Sequence, residues 1–140
     1  MSTFELKTHQ IGKTYSKPHF FILNKGLNSG KPLINPCPNC FVVQTTTPEN
    51  KDLLFNLSAI LQIGGFYAIN LKGSVIPFLT IDDCRKTLKN SLINYQRRHK
   101  ELGNHLKAIQ IIGEKEKQLK NTIKKLAMLK MAYVKACKIM

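Results

Sequence analysis

A glycine-bounded loop holds the residues of this chain that are best suited to bind an anion. Residues 24–31 read NKGLNSGK, with two glycines, two lysines and three short polar side chains. Glycines let successive backbone amides converge on an anion, and lysines supply charge. The candidate anion site consists of Asn24, Lys25, Asn28, Ser29, Gly30 and Lys31. The alternative is a tight structural turn, whose chemistry accounts for every residue here except Lys31.

The spacing within this loop argues against a nucleotide-hydrolysing P-loop. A P-loop has four residues between its glycines and a Ser or Thr after its lysine. Here three residues separate Gly26 from Gly30, and Pro32 follows Lys31. Proline has no hydroxyl with which to hold Mg²⁺.

Two cysteines follow the loop at the spacing of half a zinc site. Cys37 and Cys40 form a Cys-Pro-Asn-Cys step, whereas a structural zinc ion takes four ligands. His19, His9 and Cys84 are the candidates to complete the set. A thioredoxin-type redox pair is less favoured, because the step leads into a strand instead of a helix. We favour two half-buried cysteines in a turn and no cofactor, with zinc as the weaker alternative.

Carboxylates suited to acid–base catalysis are scarce. Residues 1–84 contain five Asp and Glu residues, and four of these suit helix caps or first helical turns. A two-metal nuclease needs several clustered carboxylates, which this sequence does not supply. A small hydrolase or nuclease that uses His19, Ser29 and Lys31 is kept as a second alternative, and an enzyme is not the favoured interpretation.

The positive charge is concentrated in the last third of the chain. The net charge of +14 divides into +2 over residues 1–84 and +12 over residues 85–140. Such a field favours nucleic acid or an acidic protein, although a lysine-rich coat that keeps a protein soluble gives the same pattern. The candidate contacts in this region are Arg97, Arg98, Lys117, Lys120 and Lys124.

Residues 1–82 have the pattern of an α+β core. Strands are predicted at Phe4–Thr8, at His19–Asn24 and from Phe41 onwards. Thr47 and Pro48 signal the start of a helix that Gly64 and Gly65 end. Two further strands are predicted at residues 66–71 and 73–81. We therefore expect a small, mainly antiparallel sheet with one packed helix.

Residues 83–140 are predicted to form a long basic helical hairpin within the same compact domain. Asp82 and Asp83 suit a helix start, and apolar residues then recur every three or four positions. The break is expected at Gly103-Asn104, with Gly113 as the second option. The alternative is one unbroken helix, which needs a partner chain to cover its apolar stripe, so a homodimer through these helices is considered.

No apolar run is long enough to predict a membrane span. The first ten residues lack the basic start and apolar centre of a signal peptide, so we expect a cytoplasmic protein. Four cysteines fit a reducing compartment.

Three motifs resemble those of a family of small uncharacterised proteins from Bacteroidota. They are HFFILNKGLNSGKPL, PCPNCFVV and GSVIPFLTIDD, within residues 19–83. The family is a domain of unknown function, and the resemblance implies a mobile-element or phage setting without an activity or site residues. The helix between the motifs departs from the family pattern, which is richer in aromatic residues and includes Trp.

These patterns favour non-enzymatic binding of an anionic partner, with nucleic acid first among them. Asn24 to Lys31 would supply the specific contact and the helical lysines the general attraction. The first alternative is a protein-interaction module, an inhibitor or adaptor, that acts through the C-terminal helical seam.

Overall fold

The chain has an α+β fold, as the sequence predicts. A computed structural model describes residues 3–140, and within them lie a four-stranded sheet and three α-helices. The strands are β1 (Glu5–Thr8), β2 (His19–Leu23), β3 (Pro32–Leu33) and β4 (Cys40–Gln44). Their order in the sheet is β1-β4-β2-β3, and every pairing is antiparallel. The helices are α1 (Pro48–Ile63), α2 (Ile81–Arg97) and α3 (His99–Ala136).

The strand register gives the sheet two different buried faces. Phe20 pairs with Val43, which pairs with Leu6, and the ring of Phe20 meets Phe55 of α1. These side chains form the face that the helices cover. On the opposite face Phe21 packs with other side chains, which are Tyr15, Leu33, Cys37, Cys40 and Val42. Because β2 and β4 are buried on both faces, they read as apolar runs without alternation.

Helix α1 begins and ends where its sequence signals lie. The Thr47 hydroxyl accepts a hydrogen bond from the Asn50 amide at 3.2 Å, and Pro48 is the first helical residue. Gly64 is the C-terminal cap. Leu54, Leu57 and Leu61 recur at helical spacing and are buried. The predicted cap and helix are confirmed.

Helix α2 begins one residue before the predicted caps. Thr80 is its N-cap, and the Thr80 hydroxyl accepts from the Asp83 amide at 3.2 Å. Asp82 and Asp83 lie in the first turn, where their carboxylates favour the positive end of the helix dipole.

The predicted break at Gly103 or Gly113 is wrong. The helical path is interrupted at Arg98, which has φ −118° and ψ 37°, and both glycines lie inside α3. A single glycine costs a helix only about 1 kcal/mol relative to alanine, so α3 continues through both positions. The chain therefore does not turn back at either glycine.

The strands predicted at residues 66–71 and 73–81 are also wrong. Ala68–Asn70 is a short 3-10 helix, and Phe78 forms only isolated bridges with Lys25 and Lys72. Gly73 has a φ of +92°, which turns the chain, and Pro77 has no amide to contribute to a ladder. The missed strand is β3, because two residues are too few to give a sequence pattern.

The chain divides into two compact units after residue 99. The first unit contains the sheet, α1 and α2, and the second is residues 100–140. This boundary lies later than residue 82, because α2 packs against α1 and β1. Within the described chain, no helix is both long and apolar enough to cross a membrane.

Candidate functional site

The loop from Asn24 to Lys31 is a closed turn whose amides largely bond within the chain. The Gly26 amide donates to the Pro77 carbonyl and the Gly30 amide to the Leu23 carbonyl, both at 2.7 Å. Three further amides also donate to carbonyls of the chain, those of Asn24, Ser29 and Lys31. These groups are therefore not free to converge on an anion.

The Ser29 hydroxyl is engaged in the same turn. It donates to the Gly26 carbonyl at 2.6 Å, and the residue is only 2% exposed. Lys25, Asn28 and Lys31 remain exposed. The local geometry is that of the structural-turn alternative, and what the loop offers to a partner is these three side chains.

Gly30 is fixed in place by a buried tyrosine. Its φ is +99°, which L side chains rarely adopt. A Cβ added to Gly30 would overlap Cδ2 of Tyr67, whose side chain is completely buried. The backbone of the loop therefore lies directly against Tyr67, and this close approach explains why residue 30 is a glycine.

A buried polar network connects the loop to two helices. Ser58 of α1 donates to the Gly30 carbonyl at 2.8 Å, and its oxygen lies 3.2 Å from the Tyr67 hydroxyl. The thiol of Cys84 in α2 lies close enough to Tyr67 for each group to affect the pKa of the other. Burial raises the pKa of the Cys84 thiol to about 12, and burial together with the neighbouring Cys84 raises the pKa of Tyr67. Both groups stay protonated at neutral pH, and the Tyr67 hydroxyl is a structural hydrogen-bonding partner of Ser58.

No local pattern in the sequence indicates this network. A serine within a helix and a tyrosine after two glycines are common, and only the fold brings residues 30, 58, 67 and 84 together. Tyr67 lies in the strand predicted at residues 66–71, which does not form.

A cluster of aromatic and imidazole rings covers the sheet face opposite the helices. The His9 ring nitrogen Nδ1 lies 3.0 Å from the Tyr15 hydroxyl. His19 Nδ1 donates to the Lys17 carbonyl at 2.8 Å. Both imidazoles contact the Phe21 ring, with centroids 5.1 and 5.4 Å away. These contacts make the cluster a second small core.

The proposed zinc ligands do not come together as a metal site. The Cys40 thiol donates to the Cys37 carbonyl at 3.1 Å, and the Cys37 thiol donates to the Asn39 carbonyl at 3.4 Å. Burial raises the pKa of Cys40, which disfavours the thiolate that zinc requires. Across residues 3–140, no three His, Cys, Asp or Glu side chains are grouped so that they could hold a metal ion. His19, Cys37 and Cys40 instead belong to the turn and the ring cluster.

The proposed Ser–His pair is not assembled either. His19 begins β2, whereas the turn that contains Ser29 joins the end of the same strand through Leu23. Five strand residues place the two ends of β2 about 13 Å apart. His19 is therefore not within reach of the Ser29 hydroxyl as a general base, and that hydroxyl donates to the Gly26 carbonyl.

Helix α3 carries a dense and exposed row of lysines. It contains nine lysines and three glutamates over 38 residues. Lys117, Lys120 and Lys124 are spaced by three and four residues, which places them on one helical face. All three are exposed. Arg97 and Arg98 lie in the first unit, at the end of α2 and at the break that follows it.

The chain belongs to a protein family without an assigned function. The model of DUF6943, a family of unknown function, matches residues 6–136 and so spans the sheet and nearly all of the helices. No curated protein and no solved structure matches the chain.

Proposed function

We propose that this protein binds nucleic acid through the lysines of α3. The observation that carries the proposal is a 38-residue helix with three times as many lysines as glutamates, whose row at Lys117, Lys120 and Lys124 is exposed. A helical row of cations tracks a phosphate backbone, and binding gains free energy from the counterions released. Most of the affinity would be independent of sequence, because lysine contacts to phosphate carry no base information.

The proposal depends on the helix more than on the loop. The Ser29 hydroxyl and the Gly30 amide bond within the chain. The loop side chains that remain exposed are Lys25, Asn28 and Lys31. These would contribute general attraction, as Arg97 and Arg98 would. The mobile-element or phage setting and a bacterial origin in Bacteroidota are proposed on the motif resemblance alone.

Binding to labelled duplex DNA, single-stranded DNA and RNA across a salt series tests this proposal. We expect log affinity to fall linearly with log salt. Replacing Lys117, Lys120 and Lys124 together with Gln should reduce the slope on duplex DNA by nearly three, which is about one per lysine. A control triple variant, Lys7→Gln, Lys17→Gln and Lys72→Gln, removes the same charge from the first unit.

Three results would overturn nucleic-acid binding by α3. One is no binding at low salt to any of the probes, and another is binding without a salt slope. The third is an equal reduction of the salt slope in both triple variants, since that would reflect net charge alone.

A second candidate function is a protein-interaction module, an inhibitor or adaptor. It is favoured by the apolar side chains that α3 leaves exposed, among them Ile112, Leu119 and Ile123, which are each about two-thirds exposed. A scattered exposed leucine is ordinary, but a row at helical spacing marks an interaction surface.

A further inference from the structure

The C-terminal part of α3 has an exposed apolar stripe with a seven-residue repeat. Its residues are Ile112, Leu119, Leu126 and Tyr133, with Ile109 and Ile123 each three positions before one of them. Leu126 is 57% exposed and Tyr133 is 73% exposed. Residues 109–133 span about 36 Å of helix.

This spacing is that of the seam of a coiled coil. The residues of the seven-residue repeat occupy one core position (d), and Ile109 and Ile123 occupy the other (a). A lone helix in water gains little from such a stripe, because most helical stability comes from packing an apolar face. Residues 100–140 contain no second helix that covers it. The seam therefore needs another chain.

Two charged residues interrupt the seam and decide between orientations. Glu116 and Lys130 occupy a positions, seven residues before and seven residues after Ile123. In a parallel, in-register dimer each would face its own copy, which places like charges together at two layers. Like charges held close together in an interface are unfavourable.

An antiparallel arrangement removes this conflict. The a positions of one helix then share layers with the d positions of the other, so that Ile123 faces Leu126 of the second copy. Glu116 is then offset from Lys130 of the second copy by about one turn, roughly 5 Å along the helix axis. The two-fold symmetry makes this Glu–Lys contact twice. Lys117 and Lys124 lie outside the seam and stay exposed.

We propose that the occupant of this stripe is a second copy of the chain, which pairs through α3 in the antiparallel direction with Ile123 opposite Leu126. The dimer does not depend on nucleic-acid binding, although it would present two rows of lysines on one rod. Its failure and that of the proposed function are separable, because the dimer is measured without nucleic acid.

The oligomeric state of the full chain is the first test. Sedimentation equilibrium on nuclease-treated protein at about 100 μM detects a dimer whose dissociation constant is of that order or tighter. We expect a dimer that Leu126→Asp weakens at least about tenfold, which corresponds to roughly 1.4 kcal/mol. Met128→Asp is the matched control, since it adds the same charge at an exposed residue outside the seam and should leave the dimer intact. A wild-type chain that stays monomeric, or equal weakening by both variants, assigns the stripe to another partner and overturns the proposal.

A charge exchange tests the orientation. Glu116→Lys alone should weaken an antiparallel dimer, because two lysines would then meet, and adding Lys130→Glu should restore it. A parallel dimer gains nothing from the double exchange, since each position still meets a like charge.

Oxidative cross-linking tests the orientation through Cys137, which is exposed and continues the a positions one residue beyond the end of α3. In the antiparallel register it faces residue 112 of the second copy, so Ile112→Cys should cross-link to Cys137 under mild oxidation. Asn121→Cys, on the outer face, is the control and should not. A Cys137–Cys137 link in the wild-type protein, or failure of the double charge exchange to restore the dimer, would reject the antiparallel arrangement.

Discussion

The two units of this chain use their residues in opposite ways. In the first unit, helices and loops cover both faces of a four-stranded sheet, and a network around Tyr67 gives each of its buried polar groups a partner. Among the described residues, no buried side-chain nitrogen or oxygen lacks a hydrogen-bond partner. In the second unit, α3 leaves both its lysines and its apolar stripe exposed. The first unit therefore buries its apolar and polar groups within itself, whereas the second leaves its apolar stripe open to solvent.

The glycines show the same contrast. Gly30 adopts a left-handed φ and lies directly against Tyr67. Gly113 is inside α3 and has nothing within 4 Å of an added Cβ. One glycine is required by packing, and the other only weakens a helix.

The largest expected effect is that of Gly30→Ala. The added methyl must displace the buried ring of Tyr67, and the alanine must keep a positive φ. The free energy of unfolding should therefore fall by roughly 3–5 kcal/mol. Gly26→Ala is the matched control, because its φ is +96° but nothing lies within 4 Å of its Cβ. Gly26→Ala should lower the free energy of unfolding only by the conformational cost of a positive φ, about 1–2 kcal/mol. Urea unfolding measures both, and equal losses would contradict the role assigned to Tyr67.

Removal of the Tyr67 hydroxyl should have the next largest effect. Tyr67→Phe keeps the ring but deprives the buried Ser58 hydroxyl of a partner, so we expect a loss of about 1–3 kcal/mol in the free energy of unfolding. Tyr133→Phe removes a hydroxyl from an exposed residue of α3 and should change stability by less than about 0.5 kcal/mol. A similar small change for both variants would show that the buried network contributes little.

Alkaline pH should destabilise the first unit through Cys84. Its thiol has an ordinary pKa of 9.0 and a pKa of about 12 in the folded chain, so between these values the folded state holds a proton that the unfolded state has lost. The contribution of Cys84 to the free energy of unfolding is therefore fully present below pH 9. It falls by about 1.4 kcal/mol per pH unit between pH 9 and about pH 12. Urea unfolding between pH 8 and 10 should show a shallower fall for Cys84→Ala. Cys137→Ala, which removes an exposed thiol, should follow the wild type, and an unchanged slope for Cys84→Ala would remove Cys84 as the source.

The smallest effect is expected for Gly113→Ala, and it has the opposite sign. Alanine is a better helix former than glycine by about 0.5–1 kcal/mol, and the site has room for the methyl. Circular dichroism should show more helix and a higher melting temperature for α3. A loss of helix would mean that Gly113 is a real break, contrary to its place inside α3.

Much of the first unit was predictable because its signals are local. Thr47 and Pro48 start a helix through backbone chemistry that involves neighbouring residues only, and the apolar runs at β2 and β4 reflect burial on both faces. The strand predicted around Phe78 is wrong because that prediction, too, used local signals only. Its apolar residues resemble a strand, but Gly73 and Pro77 allow only single bridges.

The candidate site was harder to predict, because it depends on which groups are already occupied. NKGLNSGK has the composition of an anion-binding loop and also that of a tight turn, and the two differ only in where the amides point. The bonds to Leu23 and Pro77 make it a turn. Both partner carbonyls lie outside the loop, and that of Pro77 comes from a distant part of the chain.

By itself the sequence determined the α+β class, the caps of α1, the lysine-rich C-terminal region and the spacing of its apolar stripe. Each of these depends on composition or on residues within a few positions of one another. The tertiary structure alone decided that Gly30, Ser58, Tyr67 and Cys84 meet, and that the helix break falls at Arg98 instead of a glycine. Contacts between residues far apart in the chain exist only once the sheet and helices have packed, so no local pattern records them.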